Sequence, residues 1–507
     1  MTPYLMGIDN GLTLSKAAIF DLSGREIAVA GRKIDLTYPR PGWTERPMDI
    51  VWQATAGAIR DAMAKAGIQP EEIIGIGNSG HGNGVYLLDK AGRPLIAVAS
   101  MDTRAAGIVE RWYAAGVHDQ AFPYTFQSFW AAQPNALLAW FKENRPELYA
   151  QIGSVFLCHD YIKYCLTGEV TTDYTVMSGS SLFDCQNQRY SADLLALYGL
   201  EDLLPALPRL VHSHEIAGRV TPEAAAATGL AVGTPVVGGM FDVDAGPLAC
   251  GVIEEGLMCI IAGTWAINEI VSRRPVVDKN IFMCNLFTVP GLWLVSECSP
   301  TSATNLEWFV SNFCGEERIQ ARERGVSVYD ICNELVETLP PASVDVIFHP
   351  FLFGSNVQAN ARAGFYGLGA WHTKAHVLAA LYEGVVYSHL SHVDRLRATG
   401  LRIERARLTG GGSHSRVWTQ MFADALQLPI EVVAGSEIGA LGAAMAAGIA
   451  AGAYRDHADA VARVVRVERV HEPEPGRAEA YRARYAEYQC LAAAMAEPWN
   501  RLAGLTR

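Results

Sequence analysis

Apolar and polar positions alternate in a pattern that begins, breaks off and then begins again halfway along the chain. Near the N-terminus the short apolar run Leu5-Met6-Gly7-Ile8 ends on Asp9-Asn10-Gly11-Leu12-Thr13-Leu14-Ser15-Lys16. Runs of this length, bounded by Gly and Asn, predict a buried strand and a tight turn. A second strand, Ala17 to Phe20, leads through Asp21-Leu22-Ser23-Gly24 to a third, Glu26 to Ala30, so the opening is a β-meander. Met48 to Ala66 carries the 3.6-residue period of an amphipathic helix. Ile73 onward predicts a strand, then a glycine-rich loop from Gly77 to Gly84, then a strand Val85 to Asp89. Pro134 to Tyr149 and Asp160 to Thr167 predict helices, with a turn region around Leu182-Phe183-Asp184. Pro222 to Thr228 predicts a short helix capped by Thr221.

The next stretch is the most informative. Thr234 to Val237 is a short apolar strand, and Gly238-Gly239-Met240-Phe241-Asp242-Val243-Asp244-Ala245-Gly246 follows it. The glycines place two carboxylates where the strand ends. A carboxylate there is rigidly held and suits a general base, although an Asp in that place also commonly caps the helix that follows.

After Gly251 the opening pattern returns. Leu257 to Ala262 is a strand, Gly263-Thr264-Trp265-Ala266 a small-residue turn, and Ile267 to Ser272 the next strand. A duplication of this kind suggests two related domains facing each other across a cleft. The length agrees, because 507 residues exceed what one core sustains. The expected boundaries are 1–250, 251–455 and a helical C-terminal tail 456–507 packed on the second domain. Further on, Leu408-Thr409-Gly410-Gly411-Gly412-Ser413-His414-Ser415 leaves a strand and opens a helix, Val417 to Leu426. Successive glycines at a helix N-terminus let a ligand approach the backbone. A Gly/Ala-rich helix follows Glu437, and a polar, Tyr/Arg/Glu-rich helix runs from Arg477 to Met495.

Charge narrows the partners. Lys+Arg 41 against Asp+Glu 53 gives a net charge of −12, which argues against nucleic acid or an anionic membrane. A phosphate ligand stays possible, because backbone N–H groups bind phosphate whatever the net charge. The N-terminus has no basic segment before its first strand, and Ile438 to Ala453 is too weakly hydrophobic to span a bilayer. Ten scattered cysteines without a C-x-x-C predict reduced thiols and a cytoplasmic protein.

Four features carry candidate chemistry. The turn after the first strand offers N–H groups, Thr13, Ser15 and Lys16 to an oligophosphate, although an ordinary hairpin favours the same residues. Gly75-Ile76-Gly77-Asn78-Ser79-Gly80 matches G-x-G-x-x-G, but a strand follows where the dinucleotide motif needs a helix, so that reading is rejected. The loop instead offers His81 and Asn83 to a small ligand. Asp102 and Arg104, at the start of a helix, form either a ligand contact or a surface ion pair. The pairs His372/His376 and His389/His392 each share a helix face but lack a third ligand, which favours hydrogen-bonded histidines over zinc.

Five segments in order carry a resemblance. Gly7 to Lys16 resembles the first phosphate hairpin of the FGGY carbohydrate kinases, and Ala262-Gly263-Thr264-Trp265 resembles the second. Thr409 to Asp424 is similar to their adenosine motif; Pro350-Phe351 with Gly354, Gly364-Phe365-Tyr366-Gly367-Leu368 and Tyr382-Glu383-Gly384-Val385 match their second domain. Pro41-Gly42-Trp43-Thr44-Glu45-Arg46, Gly239-Met240-Phe241-Asp242-Val243, Ser299-Pro300-Thr301-Ser302, Asn305-Leu306-Glu307-Trp308-Phe309 and Gly354-Ser355-Asn356 are closest in pattern to L-xylulose kinases. The chain departs from D-xylulose kinases at Gly82-Asn83 and Ser100, and from L-xylulose kinases at His81 and Asn83.

The resemblance implies an α/β fold of two ribonuclease H-like domains, as in the actin-like ATPases: an N-terminal sugar-binding domain and a C-terminal nucleotide-binding domain. It implies an ATP- and Mg²⁺-dependent kinase of a family in which homodimers are common, acting on a ketose or polyol, with L-xylulose the best guess and erythritol or another polyol the alternative. An actin-like ATPase with an interaction role is the reading from another class. The family's D-x-x-A-G spacing selects Asp242 over Asp244 as the base. Asp9 would hold Mg²⁺; Thr13, Ser15, Lys16 and Thr264 would take phosphates; Gly411, Gly412 and Ser415 would face the adenosine. His81, Asn83, Asp102 and Arg104, with Asp242, would contact the sugar.

Overall fold

The computed structural model describes residues 2–341, 343–355, 358–435 and 437–505; Asn356, part of one of the matched motifs, lies outside them. By internal contacts the chain divides into two units. The first comprises Met1–Ile253, Val271–Val295 and Gly435–Val465; the second comprises Glu254–Ile270, Ser296–Ala434 and Arg466–Arg507.

The first unit is built on a sheet whose order is Ile216–Arg219, Pro235–Val237, Ile73–Gly80, Tyr4–Asn10, Leu14–Asp21, Glu26–Lys33. Tyr4–Asn10 pairs antiparallel with Leu14–Asp21 on one side and parallel with Ile73–Gly80 on the other. Met240-Phe241 adds a short parallel pairing at Ser79-Gly80. The helix Met48–Ala66 has the predicted bounds and buries Val51, Ala58, Ile59 and Ala62. It ends because Gly67 takes the left-handed conformation, φ 64°, and returns its N–H to the Met63 carbonyl. Pro222–Thr228 also forms as expected, its Thr221 hydroxyl accepting the Ala224 N–H at 3.1 Å.

The second unit repeats the scheme. Gly256–Ala262 pairs antiparallel with the strand from Ala266, and parallel with Ile403–Thr409; Ile430–Val433 follows parallel and Val467–His471 antiparallel. The sequence of antiparallel, parallel, parallel and antiparallel neighbours matches that in the first unit. The predicted duplication is therefore present as two ribonuclease H-like sheets.

Two expectations needed adjustment. Pro134 to Tyr149 is two helices, Pro134–Asn144 and Pro146–Tyr149, because Arg145 precedes a proline and leaves helical geometry at φ −140°. The Gly75–Gly80 segment is strand to its end, and its glycines serve packing. The helix Ile438–Ala450 lies directly on the central strands: a Cβ at Gly7 would fall 1.8 Å from the Ala440 carbonyl oxygen, and one at Gly77 would fall 1.9 Å from that of Ala443. On the helix itself, a Cβ at Gly442 would meet the Ala245 carbonyl oxygen at 2.2 Å.

No helix among the described residues is long and apolar enough to cross a membrane. The described cysteines form no disulfide. The histidine pairs are structural: His389 bonds Ser302 and Asn268, His392 bonds Glu297 and Ser299, His372 bonds Asp345, and His376 bonds the Thr373 cap.

Gly77→Ala should destabilise the protein more than a typical overpacking substitution, which costs about 1–3 kcal/mol, because the obstacle is helix backbone. Chemical denaturation should show this, whereas Gly67→Asn, at a position with open space and a left-handed φ, should change stability little.

Candidate active site

In the first unit, Asp9 and Asp242 stand at the ends of two strands that both pair with Ile73–Gly80. Asp9 is the penultimate residue of the first strand. Asp242 follows Met240-Phe241 and opens the helix Asp242–Ala249. Asp242 is pushed up to about 7, first by burial and then by the charge of Asp9, against backbone N–H groups at the helix start that lower it. Asp9 is also raised by burial, partly offset by Lys16 and by the Ser79 hydroxyl, which donates to Asp9 Oδ1 at 3.3 Å. Neither has a Lys or Arg nitrogen at ion-pair distance among the described residues. Two half-buried like charges without an ion-pair partner are costly, so the pair is ready for a proton on one side and a cation on the other.

Asp244 has another task. It is fully buried, with Oδ2 accepting from Asn285 Nδ2 and Oδ1 from the Thr288 backbone N–H, both at 3.0 Å. It ties the helix to the segment around 285–288 and leaves Asp242 as the available carboxylate.

A buried network that the sequence did not reveal fixes the strand leading to Asp242. Lys163 Nζ donates to the Gly238 carbonyl at 2.7 Å, and the Phe241 N–H donates to Thr175 Oγ1 at 2.9 Å. Asp173 accepts from the Thr175 backbone N–H, and its other oxygen pairs with His159 Nε2 at 2.6 Å. Asp160 takes Lys163, the Leu157 N–H and the Thr172 hydroxyl. His159, Asp160 and Asp173 are close enough together for a metal, but protein donors occupy the carboxylates. Single Lys, His and Asp residues in helices and turns carry no motif, so no sequence signal marked them.

The phosphate hairpin divides its residues. Thr13 is exposed at the turn. Lys16 forms an ion pair with Glu437 at 2.8 Å. Ser15 corrects the expectation: strand alternation turns it inward, fully buried, where it bonds Asn10 Oδ1 at 2.8 Å and Thr55 Oγ1 at 2.9 Å. Its hydroxyl is used within the sheet–helix layer and does not face a phosphate.

The four expected sugar contacts also separate. Asn83 takes a left-handed conformation, φ 61°, and its buried Oδ1 has no donor. His81 is fully engaged: Nε2 accepts from Arg46 Nη1 at 2.8 Å, and Nδ1 faces the Gly82 carbonyl at 3.3 Å. Burial and the Arg46 charge push it down to about 3, so the imidazole is neutral. Asp102 and Arg104 satisfy each other, with Arg104 Nε to Asp102 Oδ1 at 2.9 Å and Nη2 to Oδ2 at 3.0 Å. Arg104 also reaches Glu45 at 2.9 Å and lies 4.4 Å from the centre of the Trp43 ring. The pair is buried where the alternative reading put it on the surface, and it braces the loop bearing Trp43 and Glu45.

In the second unit, Gly263, Thr264, Gly411, Ser415, Tyr382 and Trp418 are among the residues lining a cavity of about 550 Å³. Ser415 caps the helix Arg416–Leu426, accepting the Trp418 N–H, and donates to Asn333 Oδ1 at 2.7 Å. Tyr382 and Trp418 stack with centroids 4.5 Å apart. The three glycines have different reasons. Gly410 has φ 84° and lies against the Ala262 carbonyl; a Cβ at Gly412 would meet the Ala262 side chain at 2.9 Å; a Cβ at Gly411 would meet nothing within 4 Å. Bare backbone at a helix start beside a cavity of this size suits a nucleotide.

Comparison with known proteins decides the family. The N-terminal domain of the FGGY family of carbohydrate kinases matches residues 4–249 and its C-terminal domain matches 258–451. The chain belongs to the FGGY carbohydrate kinases. It is 39% identical to the L-xylulose/3-keto-L-gulonate kinase of Escherichia coli K12 over 98% of each chain, and 38% identical to a probable L-xylulose kinase of Pasteurella multocida over 97% of this chain and 99% of that one. The crystal structure of a xylulose kinase from Rhodospirillum rubrum superposes with a TM-score of 0.86 at 28% identity, covering 98% of this chain and all of that one. As an FGGY kinase it is an ATP-dependent sugar phosphotransferase, which sets aside the interaction-only reading.

Gly411→Val would place a side chain in the cavity without touching protein. It should raise KM for ATP at least tenfold and leave KM for the sugar and the melting temperature nearly unchanged, as an order-of-magnitude expectation for steric loss in a pocket. Gly412→Val should lower the melting temperature as well.

Proposed function

We propose that the protein transfers the γ-phosphoryl group of ATP to a hydroxyl of a ketose, with L-xylulose the best candidate and 3-keto-L-gulonate, also named for the Escherichia coli relative, as the second. The observation that carries this reading is Asp242, a carboxylate at a strand end with its pKa raised to about 7 and no cation paired to it. Such a group is ionised in part at neutral pH yet basic enough to take a proton.

The division of labour follows the two units, with the first binding the sugar and the second the nucleotide. Asp242 orients the attacking hydroxyl and accepts its proton. Asn83 Oδ1 accepts a sugar hydroxyl, which supplies its missing donor. His81, neutral and fixed in one tautomer, keeps its loop in place, and Asp102 with Arg104 braces the loop beside it. Gly411, Gly412 and Ser415 shape the adenosine pocket; Thr13, Lys16 and Thr264 offer donors to the phosphates.

Asp9 fits a divalent cation, since it is a half-buried carboxylate without an ion-pair partner among the described residues, and its charge raises the pKa of a second acid, Asp242. Mg²⁺ held by Asp9 would supply charge neutralisation on the phosphates. Phosphoryl transfer passes through a loose transition state, so positioning and neutralisation are what the side chains must provide. Cysteines that form no disulfide suit action in the reducing cytoplasm.

An ADP-release assay over a panel of pentuloses, ketoaldonates and polyols tests the reading. ADP should appear only with a sugar acceptor, and fastest with a ketose; sugar-independent release would overturn it. Asp242→Asn should reduce turnover by about 10²–10⁴-fold while leaving ATP binding, read by calorimetry, unchanged.

A further inference from the structure

Three basic side chains are buried among the described residues, Arg46, Arg104 and Lys163. Arg104 is paired with Asp102 and Glu45, and Lys163 with Asp160. Arg46, 2% exposed, has no carboxylate at ion-pair distance among the described residues. Its Nη1 donates to His81 Nε2 at 2.8 Å, Tyr86 Oη at 2.6 Å and Cys158 Sγ at 3.4 Å, and its Nη2 donates to the Gly11 carbonyl at 3.2 Å. Burial holds the Tyr86 and Cys158 protons on, raising both groups, so neither supplies a negative charge. His81 is neutral as well. The Arg46 Nε–H, buried, has no acceptor.

A buried guanidinium without a countercharge is an expensive feature to keep unless a ligand supplies the charge. Its free donor is on the Nε/Nη2 edge, the fork that binds carboxylates in bidentate fashion. Its surroundings are those of the sugar site. Gly11 belongs to the turn after the strand bearing Asp9, and His81 follows the strand whose end pairs with Met240-Phe241. The Cys158 thiol that Arg46 touches feels the Asp242 charge. Asn83, in the same loop as His81, has a buried oxygen without a donor. The loop and its neighbour thus hold one unmet donor and one unmet acceptor, which a carboxylate and a hydroxyl of a single ligand would satisfy.

We propose that Arg46 is the specificity-determining residue that lets this kinase accept a sugar acid, a ketose bearing a terminal carboxylate, with that carboxylate received at the Arg46 guanidinium. This inference rests on the kinase reading above and adds the substrate's charge to it. It also accounts for how an anion is tolerated near Asp9 and Asp242, since among the described residues the other buried cations, Arg104 and Lys163, are already paired.

The test compares L-xylulose, uncharged, with 3-keto-L-gulonate, carboxylated, in the full-length enzyme with saturating MgATP. Arg46→Gln keeps a donor and removes the charge. It should lower kcat/KM for 3-keto-L-gulonate by about 10- to 100-fold more than that for L-xylulose, the extra loss expected for a hydrogen bond to a charged group. Arg46→Lys should recover part of the loss on the acid alone. Equal losses on both sugars, or no acceptance of the carboxylated sugar by the unaltered enzyme while L-xylulose is phosphorylated, would overturn the proposal. Failure of the unaltered enzyme to phosphorylate any sugar would instead overturn the kinase reading. Thermal shifts of unaltered and Arg46→Gln protein with each sugar separate binding from folding: a variant that still melts cooperatively and is stabilised by L-xylulose alone supports the proposal.

Discussion

Two like charges without a countercharge, Asp9 and Asp242, set the terms for the first unit. What surrounds them holds them in place, and Lys16 and the Ser79 hydroxyl offset Asp9 only in part. The Asp9 strand is fixed by antiparallel and parallel neighbours. The Asp242 strand is fixed by Lys163 at Gly238 and Thr175 at Phe241. The nearest lysine, Lys16, is held by Glu437. The protein thereby stores unfavourable electrostatics at one place and surrounds it with satisfied, buried pairs. A site of this kind gains from binding a metal and from delivering a proton acceptor, and a family of phosphotransferases needs both.

Close approach of backbone makes the arrangement possible. Gly7, Gly77 and Gly442 let the helix Ile438–Ala450 lie directly against the central strands and against Ala245. The same helix start brings Gly439 beside Asp9, where a Cβ would fall 2.8 Å from Oδ2, and Glu437 beside Lys16. Glycine here is a packing requirement that also sets the position of the acids. In the second unit glycine is used differently. Gly410 and Gly412 are demanded by Ala262, while Gly411 leaves backbone bare to a cavity.

Much of this was legible in the sequence. The order of the strands, the Met48–Ala66 helix, the duplication and the position of Asp242 follow from apolar periodicity and turn chemistry, which are local, although the first three strands run to seven or eight residues where the apolar runs predicted four or five. The choice between Asp242 and Asp244 needed the family spacing, and the structure supplies the reason: Asp244 is held by Asn285 and Thr288, residues about forty positions away. Ser15 was misplaced because a hydroxyl in a hairpin gives no sign of which face it takes, and the strand turned it toward Asn10 and Thr55. Asp102 and Arg104 were identified as a pair, but their burial against Trp43 depends on a loop sixty residues upstream. Arg46, His159, Lys163, Asp173 and Thr175 were invisible as site residues, since each matters through partners distant in the chain.

The cost of holding Asp242 ionised can be measured without substrate or metal. With its folded pKa raised to about 7 above an unfolded value near 3.9, the native state loses stability as pH rises through that window. The direct measurement is the difference in unfolding free energy between Asp242→Asn and the unaltered protein, in chelator, from pH 4 to pH 8. Near pH 4 the two should be nearly equal, the variant should become progressively more stable up to about pH 7, and the gap should then level off and shrink when Asp9 is also made Asn. A difference that stays constant across this range, or a variant less stable at pH 8, would contradict the strained pair of carboxylates on which the proposed chemistry depends.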